Sequence, residues 1–262
     1  MWLRVLLVLL LSSSMWAEAA SFVQGKLCAV GATASDTVSC TFDSPTAAGH
    51  IIVASAAYQT GTVTAITFRD NTGGQYASMG DQLGAPVAGA GASIAIGRTG
   101  LPGTTTVTAT YTNSEQPDIH GLCILEYRHA NLSTFQDVTA SNSQTTPGSG
   151  TDAVTSTAMV TTADGETIIG ALWNVETVDV NINAGTVPNA WTSRAAQTTG
   201  TVQRGLCEEF IQSAAGSIAA TGALSSGTTA NTVAFGVALE NRIARGQAAA
   251  REEITTTRLP RQ

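Results

Sequence analysis

From Thr106 to Tyr111 the chain reads Thr-Val-Thr-Ala-Thr-Tyr, a strict alternation of hydroxyl-bearing and apolar side chains. A period of two is the spacing of a half-buried strand, because successive side chains point to opposite faces. The spacing returns at Ile66 and Phe68, at Ile94 and Ile96, and at Val233, Phe235, Val237 and Leu239. Behind the last of these runs lie Ala234, Gly236 and Ala238, small enough to admit a close neighbour. Residues 51–58, 122–127 and 168–173 are nearly continuous apolar runs, the pattern of strands covered on both faces. Turn residues separate the runs, and helical periodicity is nearly absent between Phe22 and Asn241. The expected fold is an all-β, antiparallel β-sandwich: one large jelly-roll-like sandwich or two immunoglobulin-like halves.

An internal duplication favours two similar halves. His50-Ile51-Ile52 aligns with Glu166-Thr167-Ile168, Tyr76 with Trp191, and Glu126 with Glu240, at nearly equal offsets. The expected division is a first sandwich half over 20–140, a Ser/Thr/Gly-rich joint with Pro147 over 141–152, and a second half over 153–241.

The ends differ from the body. Arg4, an apolar run over 5–11 and the small-residue exit Ala17-Glu18-Ala19 have the form of a signal peptide, 1–19, cleaved after Ala19. The run is too short to span a bilayer, which takes about 20 apolar residues. No cysteine follows it to carry a lipid, and no second long apolar run occurs. The expected location is therefore outside the cytoplasm, extracellular or periplasmic, without membrane insertion of the mature chain. Residues 242–262 form a polar tail with five arginines against two glutamates; a solvated tail is favoured over a short helix across 248–254. The whole chain carries −7, but the tail is +3 and the body over 20–241 is −10, which argues against nucleic acid and anionic membrane as partners.

Lys26 is the only lysine, and Thr, Ser, Ala and Gly fill the positions that charged residues take in most cytosolic proteins. Four cysteines, Cys28, Cys40, Cys123 and Cys207, suggest disulfides in an exported chain, and four allow three pairings. Cys28 with Cys40 is the simplest local bridge, which leaves Cys123 for Cys207. No C-x-x-C pair or Cys/His cluster points to a metal, and no cofactor motif is present.

The segment Asp70-Asn71-Thr72-Gly73-Gly74-Gln75-Tyr76 follows a strand-like run and has the form D-x-x-G-x-x-Y. It resembles the turn of repeated β-sandwich modules in bacterial exported and surface proteins. That resemblance implies adhesive, ligand-binding or spacer roles and brings no catalytic residues. Asp70 and Asn71 have oxygens for calcium, but the spacing matches no calcium repeat, so capping of turn amides is the expected role. The candidate binding residues are Asp70, Asn71 and Tyr76 in this turn, with Asn189 and Trp191 at the equivalent place in the second half. Trp173 is expected in the core and Trp191, beside a turn, at the surface. The expected partner is a glycan or another surface protein.

Catalysis has less support. Asp118 and His120 share a strand face, but two residues do not make a zinc site. Glu208 and Glu209 are adjacent and must point to opposite faces of a strand, so they cannot form a glycosidase pair. One is expected in solvent and the other on an arginine such as Arg128 or Arg204. No G-x-S-x-G elbow or phosphate loop occurs. The expected role is non-catalytic binding, adhesion or structure, with a secreted glycoside hydrolase-like enzyme on a β-sandwich as the alternative.

Overall fold

A computed structural model describes residues 20–31, 33–99, 102–103, 106–128, 136–147, 153–176, 180–186, 188–197, 203–225 and 229–240. The signal-peptide region, His129 and the tail lie outside them. Every regular element among the described residues is a strand, and every ladder is antiparallel. The first half runs β1 (Ser21–Val30), β2 (Thr37–Thr41), β3 (Ile51–Gln59), β4 (Thr62–Asp70), β5 (Tyr76–Leu83), β6 (Gly91–Arg98), β7 (Thr106–Glu115) and β8 (Ile119–Arg128). The second runs β9 (Gln136–Thr146), β10 (Ala153–Thr155), β11 (Met159–Val160), β12 (Glu166–Asn174), β13 (Ile182–Ala184), β14 (Thr192–Gln197), β15 (Arg204–Gln212), β16 (Ser217–Ile218), β17 (Thr221–Leu224) and β18 (Ala230–Leu239).

Each half has a five-stranded and a three-stranded sheet. The first contains β1-β8-β3-β6-β5 and β2-β7-β4; the second contains β9-β18-β12-β15-β14 and β10-β17-β13. With the short β11–β16 ribbon set aside, the two orders are identical in chain sequence. The duplication is therefore a property of the strand pairing. In β3, Ile52 pairs with Gly97 and Glu126; in β12, Ile168 pairs with Phe210 and Ala238. Glu126 thus corresponds to Ala238, two residues short of the expected Glu240. An even slip preserves the face, which is why the sequence alignment tolerated it.

The five-stranded sheets face each other, and three cores result. Alternate residues of β3 serve two of them. Ile51, Val53 and Ala57 join Ile169, Trp173, Phe235 and Val237 of the second half, while Ile52, Ala54 and Tyr58 join Val38, Phe68 and Tyr111 of the first three-stranded sheet. Ile168, Leu172 and Ala234 face the third core with Val154, Ile182 and Leu224. Coverage on both faces accounts for the continuous apolar runs. The layers therefore run three-stranded, five-stranded, five-stranded, three-stranded.

Between the halves, β1 lies against β14 and β5 against β9. Trp173 Nε1–H donates to Ser55 Oγ at 2.9 Å, and Thr167 Oγ1–H donates to the Ala20 carbonyl at 3.0 Å. The Trp173 ring occupies the space that a Cβ on Gly121 or Gly205 would fill. Cys123–Cys207 bridges the two five-stranded sheets, and Cys28–Cys40 joins β1 to β2 within the first half. The stretch expected as a joint is strand as far as Thr146: β9 pairs along β18. Its Ser, Thr and Asn content looks like linker composition because it is an edge strand. Asn142 donates to Gln144 and Gln144 to Thr146 through their side chains.

Candidate functional site

The Asp70–Tyr76 turn closes β4 onto β5. One oxygen, Asp70 Oδ1, accepts from Thr72 N–H at 2.9 Å, Thr72 Oγ1–H at 2.6 Å and Gly74 N–H at 2.8 Å. Gly73 sits at φ 83°, and a Cβ on Gly74 would lie 2.3 Å from the Asp70 carboxylate. Asn71 Oδ1 accepts from Thr106 N–H and ties the turn to β7. The motif is therefore satisfied by its own backbone, as expected for a capping turn.

Tyr76 begins β5 and pairs with Gly97. Its ring lies over that glycine, where a Cβ would approach to 2.7 Å, and tilts against Phe68 at 6.4 Å. Burial, with the Asp70 charge close by, pushes its phenol well up. Beside it opens a cleft of about 200 Å³ lined by Ile66, Phe68, Arg69, Gln75, Tyr76 and Ala95, among others. The cleft exists because β5 pairs with β6 in the five-stranded sheet rather than with β4. An isolated bridge, Arg69 to Gln75, ties the end of β4 to the residue before β5.

The equivalent place in the second half is filled. Trp191 is only 6 % exposed and packs on Phe210 at 5.6 Å, within the third core. This corrects the expectation of a surface tryptophan. Its backbone N–H donates to the Gly185 carbonyl at 2.8 Å, which fixes the chain where the ring packs inward on Phe210. Where the first half has Gly97 and a gap, the second has Phe210 and a plug. Asn189 is half-exposed beside it. The two aromatic turns occupy equivalent positions, yet only the first borders a cleft.

No protein-family model, curated protein or solved structure matches this chain. What the residues can do rests on their geometry.

Glu208 and Glu209 do point to opposite faces, but neither reaches solvent, contrary to expectation. Glu209 pairs with Arg194 at 2.6 Å, not with Arg128 or Arg204, and the Arg194 guanidinium lies 4.3 Å over the Phe22 ring across the inter-half contact. Glu208 is fully buried, fits because Gly170 lacks a side chain, and accepts from Gly185 N–H at 3.2 Å. Burial pushes it up to about 8. Glu166, also buried and beside Asp137, is pushed up to about 7, burial being the larger cause. His120 is buried too. It lies edge-on to Tyr111, and desolvation lowers its pKa.

One pair escaped the sequence reading. His50 Nδ1 lies 2.6 Å from Glu126 Oε1, and Glu126 also accepts from Gln24 Nε2 at 2.6 Å and Ala47 N–H. The signal was the apolar run around Glu126, which demands partners for a buried carboxylate. Among the described residues no group of three or more His, Cys, Asp or Glu could hold a metal ion. No helix there is long and apolar enough to cross a membrane.

The outer face of β2-β7-β4 is the other distinctive surface. Thr37, Ser39 and Thr41 stand beside Thr110, Thr108 and Thr106, with Thr67 and Arg69 on the far side. Ser39 Oγ meets Thr108 Oγ1 at 2.7 Å, and Thr41 meets Thr106 at 3.0 Å.

Proposed function

We propose that this chain is an exported, non-catalytic β-sandwich protein of two jelly-roll-like units set back to back, with a binding, adhesive or structural role outside the cytoplasm. The disulfides and the signal-peptide pattern support the compartment. The repeated eight-strand order across two sheets supports jelly-roll units over immunoglobulin-like ones.

One observation carries the non-catalytic reading: the buried carboxylates are dispersed. A glycosidase needs two carboxyl groups flanking one cleft. Here Glu208 and Glu209 are separated by their own strand, Glu126 is engaged in the first half by His50, Gln24 and Ala47, and Glu166 lies at the start of β12. Binding is better served by the threonine-rich face and the adjoining β4–β5 cleft, with a glycan or a surface protein as partner.

The test is a glycan array and a panel of glycoside substrates, both run on residues 20–262 made in an oxidising compartment. The expected outcome is retention without turnover. Hydrolysis abolished by Glu126→Gln or Glu208→Gln would reverse the reading.

A further inference from the structure

We propose that the β4–β5 cleft is an acceptor for an extended, carboxylate-bearing segment of a second protein, which adds to β4 as a fourth strand of its sheet. The inference rests on the binding reading above and goes beyond it by naming the partner chemistry.

Four observations converge. β4 is an edge strand: from Thr62 to Phe68 it has a neighbour on one side only, β7, among the described residues. An edge strand exposes a row of backbone donors and acceptors that another chain can satisfy. Second, Gln75, the residue before β5, starts that pairing with Arg69, and β5 then runs in the other sheet, so the position is begun and not completed. Third, the resulting gap has an apolar floor of Ile66, Phe68, Tyr76 and Ala95, suited to alternate side chains of an incoming strand. Fourth, the corresponding gap of the second half is occupied by Trp191 on Phe210, which restricts the site to the first half.

Charge selects the occupant. Arg69 is exposed and is the only charged side chain lining the cleft among the described residues, in a molecule of net charge −7. A carboxylate on the outward-facing side of the added strand would lie beside that guanidinium, which favours planar two-point contact with a carboxylate. The chain's own tail, with five arginines against two glutamates, has the wrong sign for this position.

The test is hydrogen exchange and fluorescence anisotropy on the full oxidised chain with acetyl-Thr-Val-Thr-Val-Asp-Thr amide as probe. The expected result is slowed exchange of the β4 amides and binding weakened about tenfold by Lys in place of the peptide Asp. Arg69→Glu, an exposed change that should leave the melting temperature unaltered, reverses the preference between the two peptides. No slowing in β4 at millimolar peptide, or equal binding by wild type and Arg69→Glu, overturns the proposal. So does a peptide of residues 254–262 that protects β4 when the acidic peptide does not, because the occupant is then the chain's own tail. None of these failures touches the array and substrate-panel outcomes, so the broader binding reading stands or falls separately.

Discussion

Glu208 shows how a single residue carries a consequence for the whole fold. Its neighbour relation to Glu209 was legible, because strand alternation alone sends adjacent side chains to opposite faces. Its burial was not, since that depends on Gly170 lying opposite in β12. An unfolded glutamate titrates near 4.5, and the folded Glu208 near 8. The folded state therefore holds the extra proton between those values, and the stability it contributes is full below the lower one and lost as pH rises through the upper. Glu166 acts in the same direction, up to about 7. His120 acts oppositely: its folded pKa is depressed, so its contribution is full above the unfolded value of 6.5 and lost as pH falls below it. Thermal melts across pH 4–9 should show highest stability in the mildly acidic range. Glu208→Gln should flatten the decline between about pH 4.5 and 8, recovering on the order of a few kcal/mol at pH 9. An unchanged slope in that variant would show that Glu208 titrates normally.

At the scale of elements, the paired aromatic turns separate what a motif says from what its surroundings decide. The Asp70 turn was readable because its glycines and its capping carboxylate act within a few residues. Asp70→Ala removes three hydrogen bonds at one oxygen and should cost about 1–3 kcal/mol in urea unfolding. Trp191 was misplaced because proximity to a turn suggested exposure, whereas Phe210, nineteen positions on, supplies the surface it packs against. Trp191→Ala should cost about 3–5 kcal/mol, the range for emptying an aromatic core position. Tyr76→Ala, at the edge of an open cleft, should cost less. A Trp191→Ala protein as stable as wild type would remove the plug from the second half and weaken the contrast between the two gaps. The joint expected over 141–152 is strand over 141–146 for a related reason: hydroxyl and amide side chains suit an edge strand as well as a linker, and only the β18 ladder distinguishes them.

The molecule as a whole is held by contacts between its five-stranded sheets, and the two disulfides divide that task. Cys28–Cys40 closes a short loop within one half, and its sequence separation of 12 made it the simplest pairing. Cys123–Cys207 spans 84 residues and lies in the core between the halves. Loop closure of that length should contribute about 4–5 kcal/mol, against about 3 kcal/mol for the local bridge. Cys28 is only partly buried, whereas Cys123 is fully enclosed. Timed alkylation during reduction under native conditions should therefore find Cys28 and Cys40 labelled first. Cys123 and Cys207 should be labelled only as the halves part. Simultaneous labelling would mean that the inter-half contact opens as readily as the surface.

What the amino-acid sequence determined by itself is local in origin. Strand identity, the face of each residue along a strand, the capping role of Asp70 and the short disulfide all follow from a pleat of period two and from groups within a dozen residues. What the tertiary structure alone decided is which face meets which. Both faces of β3 are apolar, and nothing in residues 51–58 says that Ile52 meets the first half's own outer sheet while Val53 meets the second half. That assignment follows from stacking two five-stranded sheets, a long-range fit of surfaces. It is the same fit that buries Glu209 beside Arg194, and a difference in the sheets themselves, Phe210 in place of Gly97, leaves one gap open and the other filled.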